Sequence, residues 1–269
     1  MIRFKHTQGL WTTVLAVFLA VGLSACSTKK KEYVELPVET LYNTAMDSLL
    51  DENYKAAGEQ FDEVERQHPY SQWATKAQLM GAYTNYLMNR YDDAIVGLDR
   101  FIQLHPTNKD VAYAYYLKGL SYYEQISDVA RDQGMTELAL STLDELLKRF
   151  PNSKYARDAK LKIDLTRDHL AGKEMEIGRY YHNQGHYLAA INRFRNVIES
   201  FQTTTHVPEA LHRLTEAYLA LGIKEEARKT AAVLGYNFPG SEWYIDSYEM
   251  MEGKKIRPET KKKPWYKLW

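Results

Sequence analysis

A motif that recurs five times constrains the fold of this chain more than any other feature. Each copy ends close to a proline, and the fourth copy has glutamine instead: Pro69, Pro106, Pro151, Gln202 and Pro239. Twelve residues before that position every copy has an alanine: Ala57, Ala94, Ala139, Ala190 and Ala227. Self-similarity of this kind indicates a protein built from stacked repeats, each of which buries its apolar face against its neighbours.

Two further positions in each copy are apolar. Eight residues before the proline position lie Phe61, Leu98, Leu143, Phe194 and Ala231, and five residues before it lie Val64, Phe101, Leu146, Val197 and Leu234. Together with the alanine, these positions are spaced four and three residues apart, which places them on one face of a helix. The small alanine predicts close approach of a neighbouring helix, and the proline predicts the end of the helix.

A second helix is predicted before each alanine. In the fifth copy it carries Leu211, Leu214 and Tyr218, and Gly222 follows at the turn. This helix–turn–helix unit resembles the tetratricopeptide repeat. The third copy has an insertion at residues 126–133, and residues 153–183 are predicted to form a single long helix. We therefore predict an all-α fold, a tetratricopeptide-repeat solenoid of about five helix–turn–helix repeats over residues 38–250, with the first helices on its concave face.

The N-terminus has the pattern of a secretory signal. Arg3 and Lys5 precede an uncharged apolar stretch at residues 10–23, which is too short for a comfortable membrane span. The stretch ends in Leu-Ser-Ala-Cys, which resembles a lipobox, and Cys26 is the single cysteine in the sequence. We predict a signal peptide at residues 1–25, lipid attachment at Cys26 and a lipidated tether at 26–37. The alternative is an uncleaved anchor with an incidental cysteine.

Charge is unevenly distributed along the chain. The formal net charge is zero, but the body between residues 26 and 251 carries −7. An acidic body argues against nucleic acid as a partner, because phosphate binding needs a basic face. Residues 251–269 form a basic and aromatic tail that we predict to be disordered. Such a tail is typical either of binding at a membrane interface or to a partner, or of a solvated terminus, and the sequence leaves both open.

The sequence does not predict an enzyme. It contains no glycine-rich phosphate loop, no GxSxG and no HExxH. His182 and His186 lie four residues apart, but Gly185 falls between them at a predicted turn, and no further metal ligand is placed nearby. We expect no catalytic residue, no metal site and no cofactor.

Several stretches resemble one family closely. Residues 99–107 and 151–159, together with Tyr180-Tyr181 and Asn192-Arg193, resemble the outer-membrane assembly lipoproteins of the BamD (ComL) family. The resemblance covers about residues 23–245 and includes the lipobox. It implies a non-catalytic scaffold of the β-barrel assembly machinery, anchored by lipid on the periplasmic face of the outer membrane. Ser27 fits this location, because an aspartate after the cysteine commonly retains such proteins in the inner membrane.

The resemblance also implies partners. The C-terminal repeats would hold the last periplasmic domain of BamA, with Arg193 and the neighbouring Asn192 as binding residues. The N-terminal repeats would receive unfolded outer-membrane proteins, and other assembly lipoproteins would bind as well. The tail departs from the family pattern, so its role stays open.

Tyrosines of the second and third repeats are the candidates for binding unfolded proteins. Tyrosine offers a large contact area at low entropic cost and a hydroxyl that can hydrogen-bond. More than half of the group is expected to be core, and the candidates for the groove are Tyr83, Tyr86, Tyr113, Tyr116, Tyr122 and Tyr123.

Two other functions compete with the assembly scaffold. One is a different repeat lipoprotein that acts as a cell-envelope or division adaptor. The other is a peptidoglycan hydrolase, which would need a catalytic acid in a closed cleft that the repeat pattern does not provide.

Overall fold

The computed structural model describes residues 35–253. The chain divides into two units, residues 1–37 and 38–269, and every described helix lies in the second. The predicted signal peptide, Cys26, most of the tether and the tail from residue 254 onward lie outside the described residues. Within residues 35–253, no helix combines the length and the apolar character needed to cross a membrane.

Residues 35–253 form eleven α-helices and no strand. The first helices of the five repeats are α1 (Val38–Leu50), α3 (Gln72–Leu87), α5 (Val111–Tyr123), α7 (Ala156–Asn183) and α9 (Val207–Ala220). The second helices are α2 (Tyr54–Gln67), α4 (Tyr91–Leu104), α6 (Gly134–Arg149), α8 (Tyr187–Ser200) and α10 (Lys224–Asn237). A further helix, α11 (Glu242–Glu252), follows the fifth repeat. The predicted all-α fold of five helix–turn–helix repeats is confirmed.

The repeated alanines lie where the helices approach most closely. All five have no exposed surface, and the apolar residues seven positions after each alanine, from Val64 to Leu234, are also buried. The position between them is buried in the first four repeats, but Ala231 in the fifth is half-buried. The sequence periodicity therefore identifies the face of each second helix that packs into the core.

The second helices end alike. The capping residues have φ between −129° and −134°, and each donates its backbone N–H to the carbonyl four residues earlier: His68, His105, Phe150, Phe201 and Phe238. A residue before proline is disfavoured in the helical region, which explains four of the five. Phe201 adopts the same conformation before Gln202, so packing of this side chain also contributes to the helix end.

The turns inside the repeats require a left-handed residue. Gly185 and Gly222, both at φ +76°, occupy this position in repeats four and five. Repeats one and two instead have Glu52 at φ 60° and Asn89 at φ 58°. A β-carbon makes this conformation unfavourable, so the two C-terminal turns are the less strained.

Helix α7 belongs to two repeats at once, as its predicted length suggested. Ala159 and Ile163 in its first half pack in the core of repeat three, and Ala171 and Met175 pack in the core of repeats four and five. The predicted insertion, which precedes α6, packs against the middle of α7. A β-carbon at Gly172 would lie 3.4 Å from Val129 of the insertion. The close packing at Gly172 therefore joins the third repeat to the fourth.

Helix α11 is not predicted by the repeat pattern. Ser241 caps its first turn by accepting a hydrogen bond from the backbone N–H of Tyr244. The ring of Tyr244 lies against Gly235 of α10, and Ser247 is buried with its Oγ 2.8 Å from Nδ1 of His212 on α9. Helix α11 therefore packs against both helices of the fifth repeat and covers part of their surface.

Candidate protein-binding surfaces

The first helices form a row, called here the first-helix row. Helix α1 contacts α3, α3 contacts α5, and α7 contacts α9. All six candidate tyrosines are on α3 or α5 and are half-buried. Tyr115, a neighbour of the candidates, is buried against Phe150 and belongs to the core. The half-buried candidates keep part of each ring accessible to a ligand.

Four rings form a continuous series, called here the tyrosine ladder: Tyr83, Tyr113, Tyr155 and Tyr116. The ring centroids of Tyr83 and Tyr113 are 6.4 Å apart, and those of Tyr113 and Tyr155 are 5.3 Å apart. Tyr116 stacks on Tyr155 at 5.0 Å with 20° between the ring planes. These distances suit favourable aromatic contacts. The ladder joins α3, α5 and the residue that precedes α7.

The hydroxyls of Tyr113 and Tyr116 stay protonated at neutral pH. Burial raises the pKa of Tyr113, with the neighbouring tyrosines adding to the shift. Burial also raises the pKa of Tyr116, whose hydroxyl donates a 2.5 Å hydrogen bond to Asp158 on α7. Tyr113 and Tyr116 therefore present neutral rings with polar edges.

The other candidates lie beside the ladder. Tyr86 contacts Tyr91 at 5.6 Å, and burial, followed by the nearby Glu124, raises the pKa of Tyr86 to about 12. Lysine ammonium groups lie over the two remaining rings, Lys118 5.9 Å from Tyr122 and Lys162 4.6 Å from Tyr123. The faces that these lysines cover are less available to a ligand.

A cavity of about 820 Å³ opens beside the ladder at α3 and the loop before α5. Tyr113 is on its wall together with residues that the sequence did not single out, among them Tyr42, Lys76, Met80 and Asp110. The cavity combines apolar and charged groups, which suits an extended peptide.

An aromatic position that recurs in the repeats could have identified Tyr155 as a candidate residue. Three copies have an aromatic residue four positions after the proline: Trp73, Tyr155 and Trp243. Each contacts the preceding first helix. Trp73 lies 4.8 Å from Tyr42, Tyr155 contacts the two α5 tyrosines, and Trp243 lies 5.2 Å from His212.

The C-terminal part of the first-helix row is ionic. Arg179 on α7 donates to Glu209 on α9 at 3.0 Å, and Arg213 donates to Glu216 at 2.8 Å. Burial alone would raise the pKa of Glu216, but hydrogen bonds from His212 and Arg213 lower it to about 2. Burial lowers the pKa of His182, although Glu216 nearby opposes the shift. These charged groups largely satisfy one another.

The predicted partner-binding residues lie on α8. Arg193 donates from Nη1 to both carboxylate oxygens of Glu174 on α7, each at 3.2 Å, and 42% of its side chain is exposed. The neighbouring Asn192 is exposed. Both line a shallow cavity of about 380 Å³ with Glu174, Tyr181 and Asn196. Both side chains therefore border a cavity that is open to solvent.

Metal-binding chemistry is not apparent in the described part of the chain. Residues 35–253 contain no group of three or more histidine, cysteine, aspartate or glutamate side chains placed to hold a metal ion.

Comparison with known proteins identifies the family. The model of the YfiO family, described as outer membrane lipoprotein, matches residues 34–234. The chain belongs to this family. A family member from Caulobacter vibrioides is 52% identical over 91% of this chain and 82% of its own, and one from Rickettsia prowazekii is 47% identical over 90% and 97%. Both are named outer membrane protein assembly factor BamD, which confirms the predicted resemblance.

Solved structures of repeat proteins are also similar. The TPR domain of P58(IPK) has a TM-score of 0.42 at 18% identity, covering 80% of this chain and 56% of that one. A thermophilic TPR protein in Thermus thermophilus has a TM-score of 0.38 at 19% identity, covering 81% and 98%.

Proposed function

We propose that the protein is a non-catalytic scaffold of the β-barrel assembly machinery that promotes folding and insertion of outer-membrane proteins. The observation that carries the proposal is the 52% identity over 91% of the chain to an outer membrane protein assembly factor. The repeat fold supports it, because stacked helical hairpins offer extended surfaces for polypeptides. No cofactor is needed for this role.

The two halves of the chain have different partners in this proposal. The C-terminal repeats hold the last periplasmic domain of BamA through Asn192 and Arg193. The half-exposed guanidinium of Arg193 supports this, since it can still pair with a carboxylate. The tyrosine ladder, with Tyr86 and the adjacent cavity, receives unfolded outer-membrane proteins. Stacked rings with hydroxyl edges suit extended segments rich in aromatic residues.

Attachment to the membrane is the third part of the proposal. Acyl chains on Cys26 anchor the mature protein on the periplasmic face of the outer membrane, since two or more chains give stable binding. Other assembly lipoproteins join the complex. Nucleic acid is not a partner of the acidic body.

Charge reversal at Arg193 tests the proposal. We expect Arg193→Glu to weaken co-purification of BamA from envelope extracts, because the new carboxylate repels an acidic contact. The matched control is Arg195→Glu on the same helix, where the wild-type arginine is exposed and, among residues 35–253, pairs only with Glu199 at i+4. Circular dichroism of both variants would check that the repeats stay folded.

Two outcomes would contradict the proposal. Unchanged BamA recovery with Arg193→Glu would remove Arg193 from the contact. Recovery of a cell-wall or division protein as the chief partner of the wild type would favour the adaptor function instead.

A further inference from the structure

The contact between Arg193 and Glu174 uses only part of the guanidinium. Nη1 donates to both oxygens of Glu174. Within residues 35–253, neither Nε nor Nη2 of Arg193 has a hydrogen-bond partner. A guanidinium has five donors in a rigid planar fork, and the Nε–Nη2 edge alone can bind a carboxylate through two parallel bonds. One edge of Arg193 is therefore held while another remains available.

Glu174 is well placed to hold the Arg193 guanidinium. Its side chain is 17% exposed and lies in the wall shared by the 380 Å³ cavity and a second cavity of about 650 Å³. The helix on which it lies is fixed at this point. The neighbouring Lys173 donates to the carbonyl of Ala130 in the insertion at 2.9 Å, and Met175 is fully buried. A carboxylate on a fixed backbone can restrict a long, partly exposed arginine.

We propose that Glu174 is a positioning residue that orients Arg193 for a carboxylate of the partner. This inference rests on the proposed function of Arg193. By restricting the arginine before binding, Glu174 reduces the conformational entropy that the contact would otherwise cost. The partner carboxylate binds the Nε–Nη2 edge, and Glu174 keeps Nη1. Binding therefore leaves the pair intact.

The opposite role gives the opposite result. If Glu174 competed with the partner for Arg193, its removal would free the guanidinium and strengthen binding. Loss of a negative charge would also strengthen attraction to an acidic partner at low salt. Measuring at physiological and at high salt separates this long-range effect, because exposed charges are screened beyond about 8 Å at physiological ionic strength.

The test measures affinity of the full lipidated protein in detergent for the purified periplasmic fragment of its cognate BamA. The variants are Glu174→Ala, Glu174→Gln, Arg193→Ala and the double variant of both residues to alanine. The matched control is Glu209→Ala, which breaks the Arg179–Glu209 pair and a longer contact of 3.5 Å between Glu209 and Arg213. That pair also joins α7 to a neighbouring helix and has nearly the same exposure, 40% and 16% against 42% and 17%. Thermal melts would compare how much Glu174→Ala and Glu209→Ala each destabilise the protein.

We expect Glu174→Ala to weaken binding about two- to tenfold, the effect of ordering one long side chain. Glu174→Gln keeps one acceptor oxygen and should fall between Glu174→Ala and the wild type. The double variant should bind no more weakly than Arg193→Ala, and Glu209→Ala should bind like the wild type despite a similar loss of stability.

Four results would overturn the inference. Tighter binding by Glu174→Ala at both salt concentrations would assign the competing role. Equal weakening by Glu174→Ala and Glu209→Ala would assign a purely structural role. If Arg193→Ala weakens binding but Glu174→Ala leaves it unchanged, the positioning role of Glu174 is refuted and the Arg193 contact stands. If Arg193→Ala leaves binding unchanged, the proposed Arg193 contact is refuted as well.

Discussion

Neighbouring first helices are joined by rings in one half of the protein and by ion pairs in the other. Tyr83, Tyr113 and Tyr116 connect α3, α5 and the start of α7 through aromatic contacts. Between α7 and α9 the contact is made by Arg179 and Glu209 at 3.0 Å. The second helices of both halves have the same buried alanine and the same helix end.

This contrast indicates that the repeat determines the core and leaves the first-helix row free to vary in sequence. The four ladder tyrosines are half-buried, so part of each residue stays accessible. The charged groups of the C-terminal row are satisfied by each other, so binding there would have to break existing pairs. This contrast is consistent with a partner site on α8 beside the row.

We expect the greatest loss of stability from a substitution at the centre of the tyrosine ladder. Tyr113→Ala should lower the free energy of unfolding by about 3 kcal/mol, because it removes a half-buried ring with two aromatic neighbours. Urea denaturation would measure it. Tyr180→Ala is the control, since that side chain is 62% exposed and should change stability by less than about 0.5 kcal/mol. Equal losses would mean that the ladder does not join the helices.

Acid should weaken the ionic half selectively. The pKa of Glu216 is lowered from its ordinary 4.5 to about 2 in the folded protein, so its contribution is present above pH 4.5 and is lost as pH falls toward 2. Allowing for solvent screening, the loss should be about 2 kcal/mol. Urea denaturation across this range would show a flatter profile for Glu216→Gln. Identical slopes would remove Glu216 from the network.

Alkali should weaken the aromatic half. The pKa of Tyr86 is raised from 10.0 to about 12, so its contribution is complete below pH 10 and is lost as pH rises toward 12. After allowance for solvent screening, we expect the free energy of unfolding to fall by about 1 kcal/mol. Tyr86→Phe cannot ionise and should lose less stability over this range. Tyrosinate absorbance would follow the titration, and an equal loss in the variant would contradict the assignment.

The smallest effect concerns the turns. Glu52→Gly should stabilise the first repeat by about 0.5 kcal/mol, since relief of the left-handed strain exceeds the added entropy of the unfolded chain. Gly222→Ala should destabilise the fifth repeat for the same reason. Thermal melts of the two variants should move in opposite directions, and shifts in the same direction would refute the argument.

The periodic part of the structure could be predicted from sequence. The alanine, the buried positions and the helix ends of the second helices each recur at fixed spacing, so five copies reinforce one another. The insertion and the long α7 were also predicted, because they interrupt that spacing visibly.

The non-periodic part of the structure could not be predicted from the sequence. Helix α11 has no counterpart of the repeated alanine, although Ser241 two residues after a proline matches the helix-capping Ser71. The pairing of Arg179 with Glu209 spans 30 residues and depends on how α7 lies against α9. Likewise, the family resemblance implied Arg193 as a contact, but nothing in the sequence indicated Glu174, 19 residues away.

The main proposal is that the two halves of the protein bind different polypeptides. Site-specific photo-crosslinking in living cells is the strongest test of it. A photoreactive residue would replace Tyr116 in one variant and Asn196, which lines the 380 Å³ cavity together with Arg193, in another. We predict adducts of unfolded outer-membrane proteins from position 116 and adducts of BamA from position 196. The same adducts from both positions, or the reverse assignment, would contradict the account.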